Sequence, residues 1–255
     1  MADMKPTALP PELQRFEVEF PADYAEREAR PWGVLFHCRD NPISYDSNHA
    51  VILDLGSDLD AVIQEIVAFY RERGLTPRVY SGGLPGESES LRPRLQAAGF
   101  TVEEQELRWF VLEGESRVTP VPSLEVRRVA ALDEPLIALL NSDGDAPWSV
   151  GVVRRHLARP DFHLLAGYVG GMPVTMASLK YRDGIGRVDD VMTDPAHRGH
   201  GYARTIMHHL VRRHRELSSG LLYLWAENPV AIRAYLDVGF VERGPVPPTW
   251  SAWLS

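Results

Sequence analysis

Two Gly-Phe pairs, Gly99–Phe100 and Gly239–Phe240, each close a stretch that reads strand, helix, strand, helix, and a further strand follows each pair. A chain that uses one order of elements twice is confined to two similar α/β units. Aligning the pairs sets RVY (Arg78–Tyr80) against LYL (Leu222–Leu224), and RWFVL (Arg108–Leu112) against the closing TWSAWL (Thr249–Leu254). We read this as a tandem duplication. The length of 255 residues fits, since two domains of about 100–150 residues are an ordinary division.

The segments can be placed from their periodicity. PWGVLFHCR (Pro31–Arg39) and NHAVILDL (Asn48–Leu55) read as strands, the second apolar enough to be central. Asp58 caps a helix with Leu59, Val62, Ile63, Ile66, Val67 and Tyr70 on one face, and Gly74 stops it. Residues 1–15 read as a Pro-rich arm, and EGESRVTPVPS (Glu113–Ser123) as a linker. In the second half, LEVRRV, a hairpin turning at Gly170–Gly171, RVDDVMT and LLYLWA are strands. Helices fall near Asp133–Leu140, Val150–Ala158, after Gly201, and over Pro229–Val238.

Composition removes several function classes. The net charge of −8 argues against a general nucleic-acid binder, which needs a basic surface. One cysteine, Cys38, allows no intrachain disulfide and no four-cysteine zinc site. No apolar run approaches a membrane span, and MADMKPTALPPELQ lacks the pattern of a signal peptide, so we expect a cytoplasmic protein. The five histidines His197, His200, His208, His209 and His214 lack an i, i+4 pair, and we expect solvated side chains and no metal.

The segment that carries chemistry is VDDVMTDPAHRGHGYARTIM (Val188–Met207). A strand delivers the chain to a turn with Gly199 and Gly201, and a helix begins at once. Glycines let backbone N–H groups turn inward, and the helix start adds unpaired donors and the positive end of its dipole. Together with Arg198 they form a pocket for a phosphate or pyrophosphate. No Gly-Lys-Ser/Thr follows, so the turn is not a P-loop, and the spacing is not that of a dinucleotide fold.

Arg-x-x-Gly-x-Ala at Arg198–Ala203, after Val191-x-Thr193-Asp194-Pro195, resembles the pyrophosphate loop of the GNAT acetyltransferases. NPVAIRAYLDVGF (Asn228–Phe240) resembles the second motif of that family: an Asn, a Tyr seven residues on, then Gly-Phe. Seven residues is two helical turns, so Asn228 and Tyr235 share a face. The resemblance implies that Arg198, Gly199, His200, Gly201, Tyr202, Ala203 and Arg204 hold the pyrophosphate of acetyl-CoA. Val191, Met192 and Thr193 would pair with its pantetheine arm and polarise the thioester carbonyl. Asn228 would contact the same arm, and Tyr235 would give a proton to the departing thiolate, as a phenol with pKa near 10 can. Asp189 matches an acidic position where some members bind the amine or help deprotonate it, and strand alternation sets it on the face of Val191 and Thr193. Glu227 and Glu242 are lesser candidates, and water is another.

The first half departs from this pattern. VILDL runs through Gly56–Ser57 into its helix without an Arg-Gly-x-Gly turn, Leu95 stands where Tyr235 would, and Ser88 roughly where Asn228 would. The resemblance thus implies an α/β protein of two tandem lobes, each a mixed, mainly antiparallel sheet flanked by helices. Residues 1–112 form a degenerate lobe without a cofactor loop, 113–123 a linker, and 124–255 the catalytic domain. The implied activity is acetyl-CoA-dependent N-acetyl transfer to a primary amine by direct attack in a ternary complex, with no metal. The acceptor is a small molecule or peptide whose cleft is expected from Ala146–Phe162, the hairpin turns and the first lobe, and acidic groups such as Asp143, Asp145, Asp161 and Asp189 hint that it is cationic. The alternatives are a non-catalytic CoA-binding module, or an acyltransferase with another acyl chain or acceptor. Oligomeric state stays open, a homodimer included.

Overall fold

The computed structural model of the chain describes residues 9–142, 144, 147–244 and 249–255. In chain order the first elements are α1 (Pro11–Glu19), β1 (Glu26–Arg30), β2 (Gly33–His37), β3 (His49–Ile52), α2 (Leu59–Arg71), β4 (Arg78–Tyr80), α3 (Glu87–Ala97), β5 (Thr101–Gln105) and β6 (Arg108–Leu112). Then come β7 (Glu125–Val129), α4 (Glu134–Leu140), α5 (Trp148–Leu157), β8 (Phe162–Val169), β9 (Met172–Arg182), β10 (Ile185–Thr193), α6 (Tyr202–Leu217), β11 (Leu221–Ala226), α7 (Pro229–Asp237), β12 (Phe240–Arg243) and β13 (Thr249–Trp253). They divide into two compact units, residues 1–107 with 244–255, and residues 108–243.

The first unit has a six-stranded sheet in the order β1-β2-β3-β4-β13-β5, antiparallel except for β3 with β4. Its core joins Leu35, Ile52 and Trp250 from the sheet to Ile63, Ile66 and Tyr70 of α2 and Leu91 and Leu95 of α3. Asp58 accepts from the amide of Ala61 at 3.2 Å, a cap worth about 1 kcal/mol. The buried Tyr70 hydroxyl is satisfied by the carbonyl of Phe36 at 2.8 Å. The expected arm at 1–15 is corrected over its described part: residues 11–19 are α1, which buries Leu13 and Phe16, and only residues 1–8 lie outside the described residues. Its prolines sit before and at the helix start, where a missing N–H costs nothing. The polar strand β1 (EREAR) has no apolar alternation and was not legible as a strand.

The second unit has a seven-stranded sheet in the order β12-β6-β11-β10-β9-β8-β7, antiparallel except for β10 with β11. One face packs on α6 and α7, with Ile206, Leu210, Ile232 and Tyr235 against Leu179, Val188, Leu222 and Phe110. The other packs on α4 and α5, with Leu136, Leu140 and Val153 against Leu164, Ala166 and Met176.

From β1 to β5 and from β8 to β12 the two sheets have the same strand order, each with its one parallel pair at the same place. The positions of β6 and β13 correspond, as the alignment of RWFVL with TWSAWL suggests, but the strands are exchanged. β6, which follows β5, pairs with β11 and β12, while the last strand, β13, lies between β4 and β5. The boundaries read at 112 and 124 therefore do not coincide with the compact units, because pairing assigns 108–112 to the second and 244–255 to the first. Residues 113–123 are also more than a linker. The amides of Glu113 and Gly114 donate to the carbonyl of Gly239 at 3.1 and 2.8 Å, that of Arg117 to Asp237 at 3.0 Å, and that of Val121 to the Thr205 hydroxyl at 3.1 Å.

Candidate active site

The site begins where β10 and β11 part. The two strands pair only from Ile185 opposite Leu221 to Arg187 opposite Tyr223, so the rest of β10 leaves its neighbour on that side. On its other side, β10 carries a bulge against β9 between Asp189 and Met192, with Asp190 in the left-handed region at φ +50°. Asp190 is held there by its amide donating to Asp189 Oδ1 at 3.0 Å and its Oδ2 accepting from Ser178 at 2.6 Å.

The bulge corrects the alternation expected from sequence. Asp189 and Met192 oppose Ser178 and Met176, two residues apart on β9, and so share a face. Asp189 therefore stands on the α4/α5 side of the sheet, not with Val191 and Thr193. Arg187, two residues before it on that face, places Nη2 3.2 Å from Asp189 Oδ2.

Beyond Thr193, Gly199 and Gly201 adopt φ +82° and +79°, which only glycine takes without strain. Gly201 leads into α6, and the first amide to turn back is that of Thr205, onto the carbonyl of Gly201 at 3.1 Å. The earlier amides of the turn have no intrahelical acceptor. At the next junction, Asn228 caps α7 by accepting from Val230 at 2.8 Å and Ala231 at 3.4 Å, which leaves its side-chain NH2 for another partner.

These pieces enclose a cavity of about 500 Å³. Val191, Met192, Thr193, Arg198, Gly199, Gly201, Tyr202, Ala203, Arg204, Asn228 and Tyr235 all line it. His197, Val230, Ala231, Arg233, Ala234 and Asp237 line it too, and sequence reading missed them. Of the five from α7, Ala231 alone shares the Asn228–Tyr235 face and could have been found from that helical spacing. His200 faces a neighbouring cavity instead, its Nδ1 donating to the Arg198 carbonyl at 2.9 Å. Asp189 is outside the lining.

Tyr235 is buried at 6% exposure, and burial followed by the charge of Asp189 pushes its phenol up to about 12. It is therefore protonated at any physiological pH. Arg198 reaches back to the carbonyl of Thr193 at 3.3 Å, and Arg204 pairs with Asp237 at 3.1 Å. Glu242 is engaged by Arg108, whose hydrogen bond holds it below the usual carboxylate range, and Glu227 is exposed. Asp161 is held low although burial raises it, because the Lys180 ammonium pairs with it at 2.8 Å. Asp143, Asp145 and Ala146 lie outside the described residues.

The histidines are not uniformly solvated. His200 is exposed, but His214 is buried at 2%, with Nε2 donating to the Gly220 carbonyl at 3.1 Å. Among the described residues no group of His, Cys, Asp and Glu could hold a metal ion. Cys38 is buried in the first unit. No described helix is long and apolar enough to cross a membrane.

Residues 134–240 match the model of the acetyltransferase (GNAT) family. The chain carries a GNAT domain. Three solved structures resemble nearly the whole chain at low identity. A GCN5-related N-acetyltransferase from Kribbella flavida is 16% identical, with a TM-score of 0.64 over 95% of this chain and 94% of that one. A functionally unknown conserved protein from Staphylococcus epidermidis is 16% identical, with a TM-score of 0.59 over 90% and 94%. A GNAT-family acetyltransferase from Colwellia psychrerythraea is 8% identical, with a TM-score of 0.50 over 98% and 99%. They show the fold, two mixed sheets flanked by helices. No curated protein matches the sequence. The GNAT match spans α4 to Phe240 and so includes the cavity, the glycine turn and Tyr235.

Proposed function

We propose that the chain transfers an acetyl group from acetyl-CoA to a primary amine by direct attack, both substrates being bound at once. One observation carries this. A single cavity is lined together by the parted end of β10, the glycine turn, Asn228 and Tyr235. The free amides of the turn suit a pyrophosphate. The backbone of Val191–Thr193 is released from β11, so it can pair with an extended pantetheine arm and donate to the carbonyl oxygen as charge develops there.

The amine nitrogen attacks the thioester carbon, the carbon–sulfur bond breaks, and the thiolate takes a proton. Tyr235 is the proposed donor, since it lines the cavity beside the parted strand and carries its proton at physiological pH. Asp189 is the proposed acceptor-side carboxylate. It lies across the strand from the cofactor cavity, where an incoming ammonium would be held and its proton led away. No enzyme nucleophile takes part, so most of the rate comes from positioning and charge stabilisation. A small molecule or peptide with a cationic amine is the proposed acceptor.

The first unit lacks the same provisions. Its counterpart of the glycine turn is Gly56–Ser57, and the loop after β4, at the place of the Asn228 junction, is closed by the buried carboxylate of Glu87, which accepts from the amides of Gly82 at 2.7 Å and Leu84 at 3.1 Å, while Gln14 of α1 donates to Gly82 at 2.7 Å. The test is an amine screen with acetyl-CoA read by thiol release, paired with a calorimetric titration. Turnover with one CoA per chain is expected. CoA binding without turnover on any amine would leave a binding module, and two equivalent sites would put cofactor in the first unit as well.

A further inference from the structure

Residues 113–123 are fastened along the second unit at both ends, and Val118 and Val121 pack partly into its cores. Between the fastenings, Arg117, Val118, Thr119 and Val121 form one wall of a second cavity, of about 410 Å³. The other wall is the glycine turn, and Gly199, Gly201, Arg204 and Asp237 line both cavities. The two spaces therefore meet at the turn, one running toward Tyr235 and the other along the strap.

Their charge runs against that of the chain. The protein is at −8, yet Arg117, Arg198, Arg204 and Arg233 line the two cavities, with Asp237 as the one carboxylate among the lining residues. Arg204 already compensates Asp237 at 3.1 Å. Arg117 is different: its amide is tied to the carbonyl of Asp237, but among the described residues its guanidinium pairs with no carboxylate. A ligand with one anionic group at the turn would leave Arg117 in surplus. Coenzyme A carries two, the pyrophosphate and a 3′-phosphate ester on the adenosine ribose.

We propose that the second cavity takes the 3′-phosphoadenosine end of the cofactor, and that Arg117 selects the 3′-phosphate. This rests on the acyl-CoA reading above. Val118 and Val121 supply an apolar surface for the adenine face. The backbone of Arg117 is fixed to Asp237, and its guanidinium offers a planar donor fork that matches a phosphate dianion.

Calorimetric titration of CoA and dephospho-CoA into the wild type, Arg117→Ala and Arg117→Lys tests it. Arg117 is exposed, so neither variant should disturb the fold. The wild type should prefer CoA by about tenfold, the size of one charge-assisted contact. Arg117→Ala should lose that preference by weakening CoA alone, and Arg117→Lys should keep part of it. If Arg117→Ala retains the wild-type preference, or weakens both ligands equally, the selection is not made by this residue. If the wild type binds both alike, the cavity does not read the phosphate, while the acyl-CoA reading stands. If it binds neither, both fall.

Discussion

Arg187 places its Nη2 3.2 Å from Oδ2 of Asp189, and the pair sits on the α4/α5 face of β10. In the proposed reaction the Asp189 carboxylate holds the ammonium of the acceptor. Asp189→Asn should therefore raise the KM for the amine and lower kcat/KM by about 10–100-fold, with CoA affinity unchanged. Steady-state kinetics across pH checks it, and an unaltered profile would remove Asp189 from the mechanism.

Tyr235→Phe keeps the ring in its packing against Ile232 and Phe240 and removes only the hydroxyl. Stability and CoA binding should barely change. General-acid help is typically worth about 10²–10⁴-fold, and we expect the lower end, because a thiolate whose acid has a pKa near 8.5 already leaves readily. The fall should appear equally in kcat and kcat/KM. Full activity in the variant would make water the proton donor.

Gly201→Val forces a branched side chain to φ +79° and sets its Cβ 3.4 Å from Val121 Cγ2. The backbone cost is about 1–2 kcal/mol of stability. The larger effect should be on CoA, with affinity at least tenfold weaker in a protein that still melts cooperatively. Calorimetry beside a thermal scan separates the two, and intact affinity would make the turn purely structural.

Glu87 is buried at 3%, and burial pushes its carboxyl up to about 7 against the pull of the Gly82, Leu84 and Gly83 amides. Its folded pKa lies above the unfolded value of 4.5. The folded state thus binds more protons between those values, and this contribution to stability is present at low pH and lost as pH rises toward 7. Glu87→Gln mimics the protonated form and should gain on the wild type from pH 5 to 8. Thermal midpoints of both proteins check this, and a constant difference between them would contradict it.

Much of the site could be read in the sequence because it is made of backbone punctuation. Gly199, Gly201, the Asn228 cap and the buried Tyr235 are fixed by neighbours within a few residues, and local rules reach that far. What escaped depends on pairing partners. The bulge at Asp190 has no signal in RVDDVMT, since only the register with Ser178 and Met176 reveals the extra residue, and with it the true face of Asp189. Residues 113–123 read as a linker because their prolines and polar side chains say nothing of the backbone bonds to Gly239 and Asp237. Likewise β6 and β13 were aligned with each other correctly, but hydrophobic pattern cannot say which sheet a strand joins.

That exchange has a consequence for how the chain is made. A ribosome delivers β4 and β5 early, and the strand that belongs between them, residues 249–253, only after every described strand of the second sheet. The second unit, by contrast, has all its strands once residue 243 has emerged. The half that is synthesised first is the half that closes last, and until residues 249–253 emerge its two open strand edges must be kept from other partners.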